Sequence, residues 1–259
     1  LMCEISSFSE LKKLSKYNQV KLVVLGCEFL SLNSTKKFDF NELENIIGYA
    51  HLHDIKVCLE AERLFHQDDM MFVKNLIESC PCDYVVYSDL GVYQILSKLG
   101  LTDMAIYRAP TYMTNSSDIK TFQLMNEYVV ISNQIRSDEL VEIVKNVNKN
   151  VIIDGFGMAC CFYSKRPLVT NYLKFKDYKL KGYRKEILKL KEETRDNFYH
   201  LVEDENGTKV YEEAHYALTS ILDSIKDCEY FLINHFNVDD KEYLKIVSLY
   251  NDYFNGIIN

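Results

Sequence analysis

The sequence predicts an α/β fold, a TIM-like (β/α)8 barrel with a long basic insertion after strand 7, and three observations carry that reading. Eight short apolar runs recur along the chain, and helical patterns separate most of them. The length of 259 residues suits a closed barrel, which typically needs about 250. Neither a Gly-rich dinucleotide turn nor a phosphate-binding loop marks the open, doubly wound alternative. Strands that read as continuous apolar runs belong to a parallel sheet covered on both faces by helices.

Taken in order, the first strand surrounds Cys3-Glu4-Ile5 and leads into a helix from Ser9 to Ser15. Val20 to Glu28 is the second strand. Asp39 then caps a helix that places Leu43, Ile46, Ile47 and Ala50 on one face. Val57-Cys58-Leu59-Glu60 is the third strand, followed by a helix through Met70, Val73, Leu76 and Ile77. The fourth strand, Asp83 to Asp89, precedes a helix from Val92 to Leu99 that Gly100 ends. Ala105-Ile106-Tyr107-Arg108 is the fifth, with a helix from about Ser117 to Glu127. Tyr128 to Ser132 is the sixth, and Ser137 opens the helix that reaches Val147. Val151-Ile152-Ile153-Asp154 is the seventh. After the insertion, His215 to Ile225 reads as helix, Tyr230 to Asn234 as the eighth strand, and Lys241 to Phe254 as the last helix.

Composition narrows the class. The apolar runs are too short to span a bilayer, and no charged-then-apolar leader precedes the first strand, so a cytoplasmic protein without a membrane partner is expected. Eight scattered cysteines, several inside apolar runs, suit buried reduced thiols better than a disulfide framework. The whole chain, 1–259, reads as one barrel domain with the insertion at 157–214 inside it. Across that insertion the strand–helix alternation stops for some forty residues, and loops of that length are usually functional or disordered. From Lys165 to Lys191, ten Lys/Arg face only Asp177 and Glu186, a local charge of +8 in a chain whose net charge is −8.

Barrel chemistry sits at the carboxyl ends of the strands. The polar residues there are Glu28, Glu60, Asp89, Arg108, Asn133, Asp154, Asn234 and His235. Each taken alone reads first as a helix cap or a solvated loop; together they would line one mouth. Asn206-Gly207, between Tyr199-His200-Leu201-Val202 and Lys209-Val210-Tyr211, signals a hairpin with positive φ at both central residues. Cys160-Cys161, Cys80-x-Cys82 and His51-x-His53 read as structural, because none has the spacing of a metal site or a Cys/His pair.

The stretch Tyr163-Ser164-Lys165-Arg166-Pro167-Leu168-Val169-Thr170-Asn171-Tyr172, with Gly157 and Cys160 before it, resembles the signature of the peptidase U32 family, the collagenase-like proteins. Ser88 to Val92, Ile131 to Leu140, and Leu190 to Asp196 through Val202 to Thr208 extend the likeness, toward the short, cysteine-poor branch. The resemblance implies a TIM-like barrel. The family name implies a peptidase, yet characterised relatives hydroxylate tRNA wobble uridine with prephenate or serve in oxygen-independent ubiquinone hydroxylation, often as paired subunits. Those relatives hold a four-iron cluster on four cysteines. Here Cys160 occupies the first position, Pro167 stands at the second, and no cysteine lies between Cys161 and Cys228. A cluster normally needs four thiolates, so no iron–sulfur cluster and no other metal is expected.

Under this resemblance the leading expectation is a wobble uridine 5-hydroxylation protein, or its cluster-less subunit, that binds tRNA. Lys165, Arg166, Arg184 and Lys185 would contact phosphate, and Tyr163, Tyr172, Tyr178 and Tyr183 would stack on unpaired bases. Glu60, Arg108, Asn133, Tyr163, Ser164, Arg166, Asn171, Tyr172 and Arg195 are the substrate-binding candidates. Arg108, Arg166 and Arg195 could clamp prephenate, since Arg forks match carboxylates. A four-cysteine U32 paralogue is the expected protein partner, in a heterodimer. The alternatives are a collagenase-like peptidase and a non-catalytic scaffold partner of a cluster-bearing paralogue. Hydrolysis needs a nucleophile or activated water with a base, and the sequence shows neither His-Glu-x-x-His nor Gly-x-Ser-x-Gly.

Overall fold

The computed structural model describes residues 1–32, 34–109 and 112–258, with Lys185 described by its backbone alone. The chain divides into two compact units, Leu1–Gly157 with Leu218–Asn259, and Met158–Ala217. The elements in chain order are β1 (Met2–Glu4), α1 (Phe8–Leu14), β2 (Leu22–Cys27), β3 (Lys37–Phe38), α2 (Phe40–His51), β4 (Lys56–Ala61), α3 (Met70–Ser79), β5 (Tyr84–Tyr87), α4 (Leu90–Leu99), β6 (Ala105–Tyr107), α5 (Ser116–Gln123), β7 (Tyr128–Ile131), α6 (Ser137–Asn146), β8 (Val151–Ser164), α7 (Leu168–Phe175), β9 (Leu188–Lys191), β10 (Phe198–Asp204), β11 (Gly207–Ala217), α8 (Leu222–Ile225), β12 (Tyr230–Ile233) and α9 (Asp240–Phe254).

In the first unit, β1, β2, β4, β5, β6, β7, β8 and β12 pair in parallel, and β12 returns to both β8 and β1. These are the eight strands expected, and they close a barrel. Period-two alternation sorts their side chains into two layers. Met2, Leu22, Val24, Cys58, Val86, Ile106, Val130, Ile152 and Leu232 fill the inside. Their neighbours Cys3, Val23, Leu25, Leu59, Val85, Val129 and Ile153 pack outward with the helices. Tyr84, Tyr128 and Tyr230 meet edge to face at 5.4 and 5.6 Å on the inner face, and Lys56 Nζ donates to the Tyr84 hydroxyl at 2.7 Å.

The helices begin where local chemistry starts them. Asp39 caps α2, and Glu42 returns the bond to the Asp39 N–H, a reciprocal box that satisfies two orphan donors. Leu43, Ile46, Ile47 and Ala50 are the buried stripe, as the spacing predicts. Gly100 ends α4 with φ of +72°.

The second unit departs from the expectation of forty residues without regular structure. It consists of the far part of β8, the helix α7, and β11, β10 and β9 in that order across one sheet. Leu188-Lys189-Leu190-Lys191 is a strand that pairs antiparallel with β10, and Phe198–Asp204 pairs antiparallel with β11. His215 to Ala217, expected as helix, completes β11, and only Leu222–Ile225 of that stretch is α-helical. The hairpin is real, but its turn is Glu205-Asn206, and Gly207 alone takes positive φ (+123°). The Asn206 N–H donates to Asp204 Oδ1 at 2.8 Å, which sets the turn without a left-handed asparagine. A Cβ at Gly207 would fall 2.0 Å from the Ser164 carbonyl oxygen, so the close approach also requires glycine.

Glu203 holds α7 to this sheet. Its buried carboxylate accepts the N–H groups of Val169 (2.7 Å) and Thr170 (3.2 Å) in the first helical turn, and the hydroxyls of Thr170 (2.5 Å) and Thr208 (3.0 Å). Burial works to raise the Glu203 carboxyl, but these donors outweigh it and hold it below the ordinary value. A depressed folded value means its stabilisation is present above the unfolded value of about 4.3 and is lost as pH falls through the folded one. Wild-type protein should therefore lose more of its melting temperature between pH 7 and pH 3 than Glu203→Gln does. Equal losses in the two proteins would show that the carboxylate is not held this way.

Candidate functional site

In the barrel the inner-face alternation that buries Met2, Cys58, Ile106, Ile152 and Leu232 continues two residues on. It delivers Glu4, Glu60, Arg108, Asp154 and Asn234 to the carboxyl ends of their strands. Arg108, with 12% of its side chain exposed, lies between Glu62 and Asp154, which expose 1% and 3%. Its Nη2 donates to both Asp154 oxygens at 3.2 and 3.1 Å, and Nη1 lies 3.5 Å from Glu62 Oε2. Asn133 Nδ2 donates to Asp154 Oδ2 at 3.2 Å and Asn234 Nδ2 to Oδ1 at 3.3 Å. Asp154 thus has two donors on each oxygen. Asn234 comes this close because Gly157 lies beside it; a Cβ there would meet Asn234 Cβ at 2.8 Å.

The other mouth carboxylates are occupied by main chain. Glu60 accepts the N–H of Leu32 at 2.8 Å and of Ser34 at 2.9 Å, and also bonds the Ser34 hydroxyl. Glu4 accepts the N–H of Thr35 at 2.5 Å and of His235 at 2.9 Å. What remains between Glu4, Ser34, Glu60, Arg108 and Asn234 is a cavity of about 10 Å3, room for one water. Sequence reasoning missed Glu62, which lies two residues beyond Glu60 on the inward side. The same period-two rule could have found it, had the β4 strand been read past Glu60. Of the remaining mouth candidates, Asp89 caps α4 and holds the Phe65 N–H, while Glu28 is exposed. No ring of free catalytic groups forms here among the described residues; instead, a buried polar network does.

Within 158–217 the candidates separate. Tyr163 donates its hydroxyl to the Asn206 carbonyl, and Ser164 Oγ accepts the Arg166 N–H, so both shape the loop before α7. Arg184 reaches the Thr170 hydroxyl at 3.1 Å and Glu203 at 3.7 Å. Arg195 is bound to Glu192 (3.0 Å) and the Tyr199 hydroxyl (2.7 Å). The side chain of Lys185 lies outside the described residues. Among the described residues, Arg184 is the one cation of the 165–191 run that faces a carboxylate. Lys165 and Arg166 have none, and Arg166, Asn171 and Tyr172 are exposed.

A groove of about 820 Å3 opens in this same unit, lined by Phe162, Leu168, Tyr172, Leu190, Tyr199 and Val210 among others. It exists because α7 buries none of its residues: its apolar face, with Leu168 and Tyr172, stands off the sheet. Leu188 and Leu190 line it, so Lys189 and Lys191 point to the opposite face of β9. Polar lining comes from Glu192, Thr208 and Glu212. Cys161 also borders it, with its Sγ toward the Val210 carbonyl at 3.3 Å, and burial raises that thiol. Cys160, its neighbour on the strand, projects from the other face, and 158–217 contains no further cysteine. Two thiols on opposite faces do not make a four-thiolate set, so a four-iron cluster does not fit the donors of this unit.

The buried ion network yields one expectation. Arg108→Ala would leave Asp154 and Glu62 desolvated without their counter-charge, which costs about 3–5 kcal/mol. Urea unfolding would show it as a lower midpoint at unchanged slope; a loss under about 1 kcal/mol would mean that the pair is effectively solvated.

The family model described as "Peptidase family U32" matches residues 6–250. The uncharacterized protease MJ0090 of Methanocaldococcus jannaschii is 29% identical over 160 residues, which cover 58% of this chain and 39% of that protein. The tRNA hydroxylation protein P2 of Bacillus subtilis is 24% identical over 227 residues, 83% of this chain and 71% of that protein. The chain therefore spans well under half the length of the first of these relatives and about 71% of the second. The solved structure of the U32 peptidase Mk0906 aligns with a TM-score of 0.56 at 12% identity, over 92% of this chain and 93% of that one, which speaks for the fold alone. With nearly its whole length matched, from residue 6 to residue 250, this chain belongs to peptidase family U32.

Proposed function

We propose that the chain is a tRNA-modification protein, acting in wobble uridine 5-hydroxylation either itself or as a cluster-less subunit beside a four-cysteine U32 paralogue, in the cytoplasm. The observation that carries this reading is the 158–217 unit. It combines a roomy groove bearing tyrosine and phenylalanine rings with a run of cations of which, among the described residues, only Arg184 faces a carboxylate. Aromatic side chains give unpaired bases a stacking surface, and unpaired lysines and arginines give phosphates a partner. The B. subtilis relative, named a tRNA hydroxylation protein, supports the same direction.

The residues divide by role in this reading. Lys165 and Arg166, which immediately precede α7 and its groove-lining Leu168, take phosphate. Tyr172, 60% exposed on the groove, takes a base. Tyr178 is exposed as well, whereas Tyr183 is half-buried with its hydroxyl on Thr170 at 2.5 Å. Prephenate, the co-substrate in this reading, would find Arg166 the least committed of the three expected arginines. At Arg108 its carboxylate would have to replace Asp154, and at Arg195 it would have to replace Glu192. The peptidase alternative has less support: the mouth carboxylates are bonded to amides and to Arg108, and the thiol of Cys161 is raised rather than activated.

Affinity for tRNA should fall as salt rises. Replacing Lys165 and Arg166 together by Ala should weaken binding and flatten the log–log salt slope by about two, one for each phosphate no longer neutralised. Tyr172→Ala should lower affinity by about 1–3 kcal/mol without changing that slope. Mass spectrometry of wobble uridines from a strain lacking the gene should show the 5-hydroxylated species reduced. Unaltered uridines together with reproducible gelatin cleavage would replace this reading with the peptidase one.

A further inference from the structure

A second cluster, apart from the Arg108 network, lies where β12 leads into α9. His235 follows β12 and is 2% exposed; Glu10, on α1, is equally buried; Asp240 is the first residue of α9, with 67% of its side chain open to solvent. His235 Nε2 stands 3.5 Å from Glu10 Oε1 and 3.6 Å from Asp240 Oδ1, and the three atoms lie within 4.8 Å of one another. Those separations are long for hydrogen bonds. Both ring nitrogens of His235 and Glu10 Oε1 are buried without a hydrogen-bond partner among the described residues. Leaving His235 Nε2 and Glu10 Oε1 buried and facing each other without a bond would cost folding free energy unless something occupies the space between them.

We propose that Glu10, His235 and Asp240 form a binding site for a first-row divalent cation, Zn2+ foremost. The spacing is that of ligands around one ion. Zinc bonds of about 2.0–2.1 Å at tetrahedral angles place ligand atoms roughly 3.3–3.4 Å apart. An imidazole with two carboxylates suits zinc over magnesium or calcium, which take oxygen ligands almost exclusively. The surroundings fix the donors in place before any ion arrives. Glu10 Oε2 accepts the Ser6 N–H at 2.7 Å and the Ser6 hydroxyl at 3.1 Å, so that Oε1 is the oxygen left to face His235. The His235 main chain is held by Glu4, and the ring packs edge-on against Tyr243 at 4.2 Å. Asp239 caps α9 through the N–H groups of Lys241 and Glu242, which fixes the backbone that carries Asp240. Three protein ligands leave a fourth position, and the exposed side of Asp240 opens it to water. An ion here would tie α1 to the β12–α9 junction, beside the β12–β1 pairing that closes the barrel.

The test uses the 259-residue chain, free of any histidine tag and stripped with chelator. Titration calorimetry with Zn2+ should give one site per chain, and added Zn2+ should raise the melting temperature. Asp240→Asn, whose exposed side chain can change without disturbing the core, should weaken binding at least tenfold and remove most of that rise. Glu10→Gln should do the same while keeping the Ser6 bonds. Because eight cysteines are present, Co2+ substitution provides the control: its spectrum should lack a thiolate-to-cobalt charge-transfer band. Absence of binding, a thiolate band, or full affinity in both variants would overturn the assignment.

Discussion

Asp154 carries the carboxyl-end architecture of the barrel. Burying a carboxylate costs several kcal/mol, and it is tolerated here because both oxygens receive donors from three separate strand ends, at Arg108, Asn133 and Asn234. Arg108 is then shared with Glu62, so one cation and two anions link the ends of β4, β6 and β8, while the two amides add those of β7 and β12. Arg108, Asp154 and Asn234 sit two positions beyond the inward-facing Ile106, Ile152 and Leu232, whereas Glu62 follows Glu60 and Asn133 follows the outward-facing Ile131. The network therefore follows from barrel periodicity: the alternation that fills the interior must deliver something at its open end, and here it delivers paired charge.

That arrangement ties up the charged groups of the barrel mouth in holding the fold together. The cavity between Glu4, Ser34, Glu60, Arg108 and Asn234 has the space of one water and no room for a nucleobase or a peptide segment. Glu4 and Glu60, the latter a substrate-binding candidate from the sequence, hold the N–H groups of loops in place. Volume and uncompensated positive charge occur in the 158–217 unit, where Glu203 keeps α7 in position and the apolar face of that helix remains uncovered.

Most of the barrel was legible because its signals are local. Val57-Cys58-Leu59 and Tyr128 to Ile131 are unbroken apolar runs, and Asp39, Gly100 and Ser137 mark helix ends within a few residues of where they lie. The insertion was harder for two physical reasons. Leu188-Lys189-Leu190-Lys191 alternates as a strand should, but its lysines contribute to the basic run and the charge obscures the pairing. His215 to Ala217 carries too few apolar residues to declare itself, and is strand only because β11 continues there. Asn206-Gly207 gave the hairpin but not its geometry, since an Asx contact from Asp204 selects a turn that needs one positive φ rather than two. The roles of Glu203 and Glu62 depended on partners 33 and 46 residues away, a distance across which no spacing rule operates.

Charge arrangement joins these points. The sequence carries −8 overall although 165–191 holds +8, and part of the acidic surplus proves to be interior: Glu4, Glu10, Glu60, Glu62 and Asp154 are all buried. An interior carboxylate bonded to amides or to Arg108 is held in place by donors and does not move to meet surface cations. Among the described residues, the other lysines and arginines of 165–191 consequently face no carboxylate, and Arg184 pairs because Glu203 is already there as the helix cap. Exposed cations of one sign, spread over a short segment, raise the local concentration of anions and lose that effect as salt screens them. A polyanion with unpaired bases satisfies both features of this unit, the charge and the aromatic groove. A neutral peptide would satisfy only the groove, and this asymmetry is the physical basis of the RNA reading proposed above.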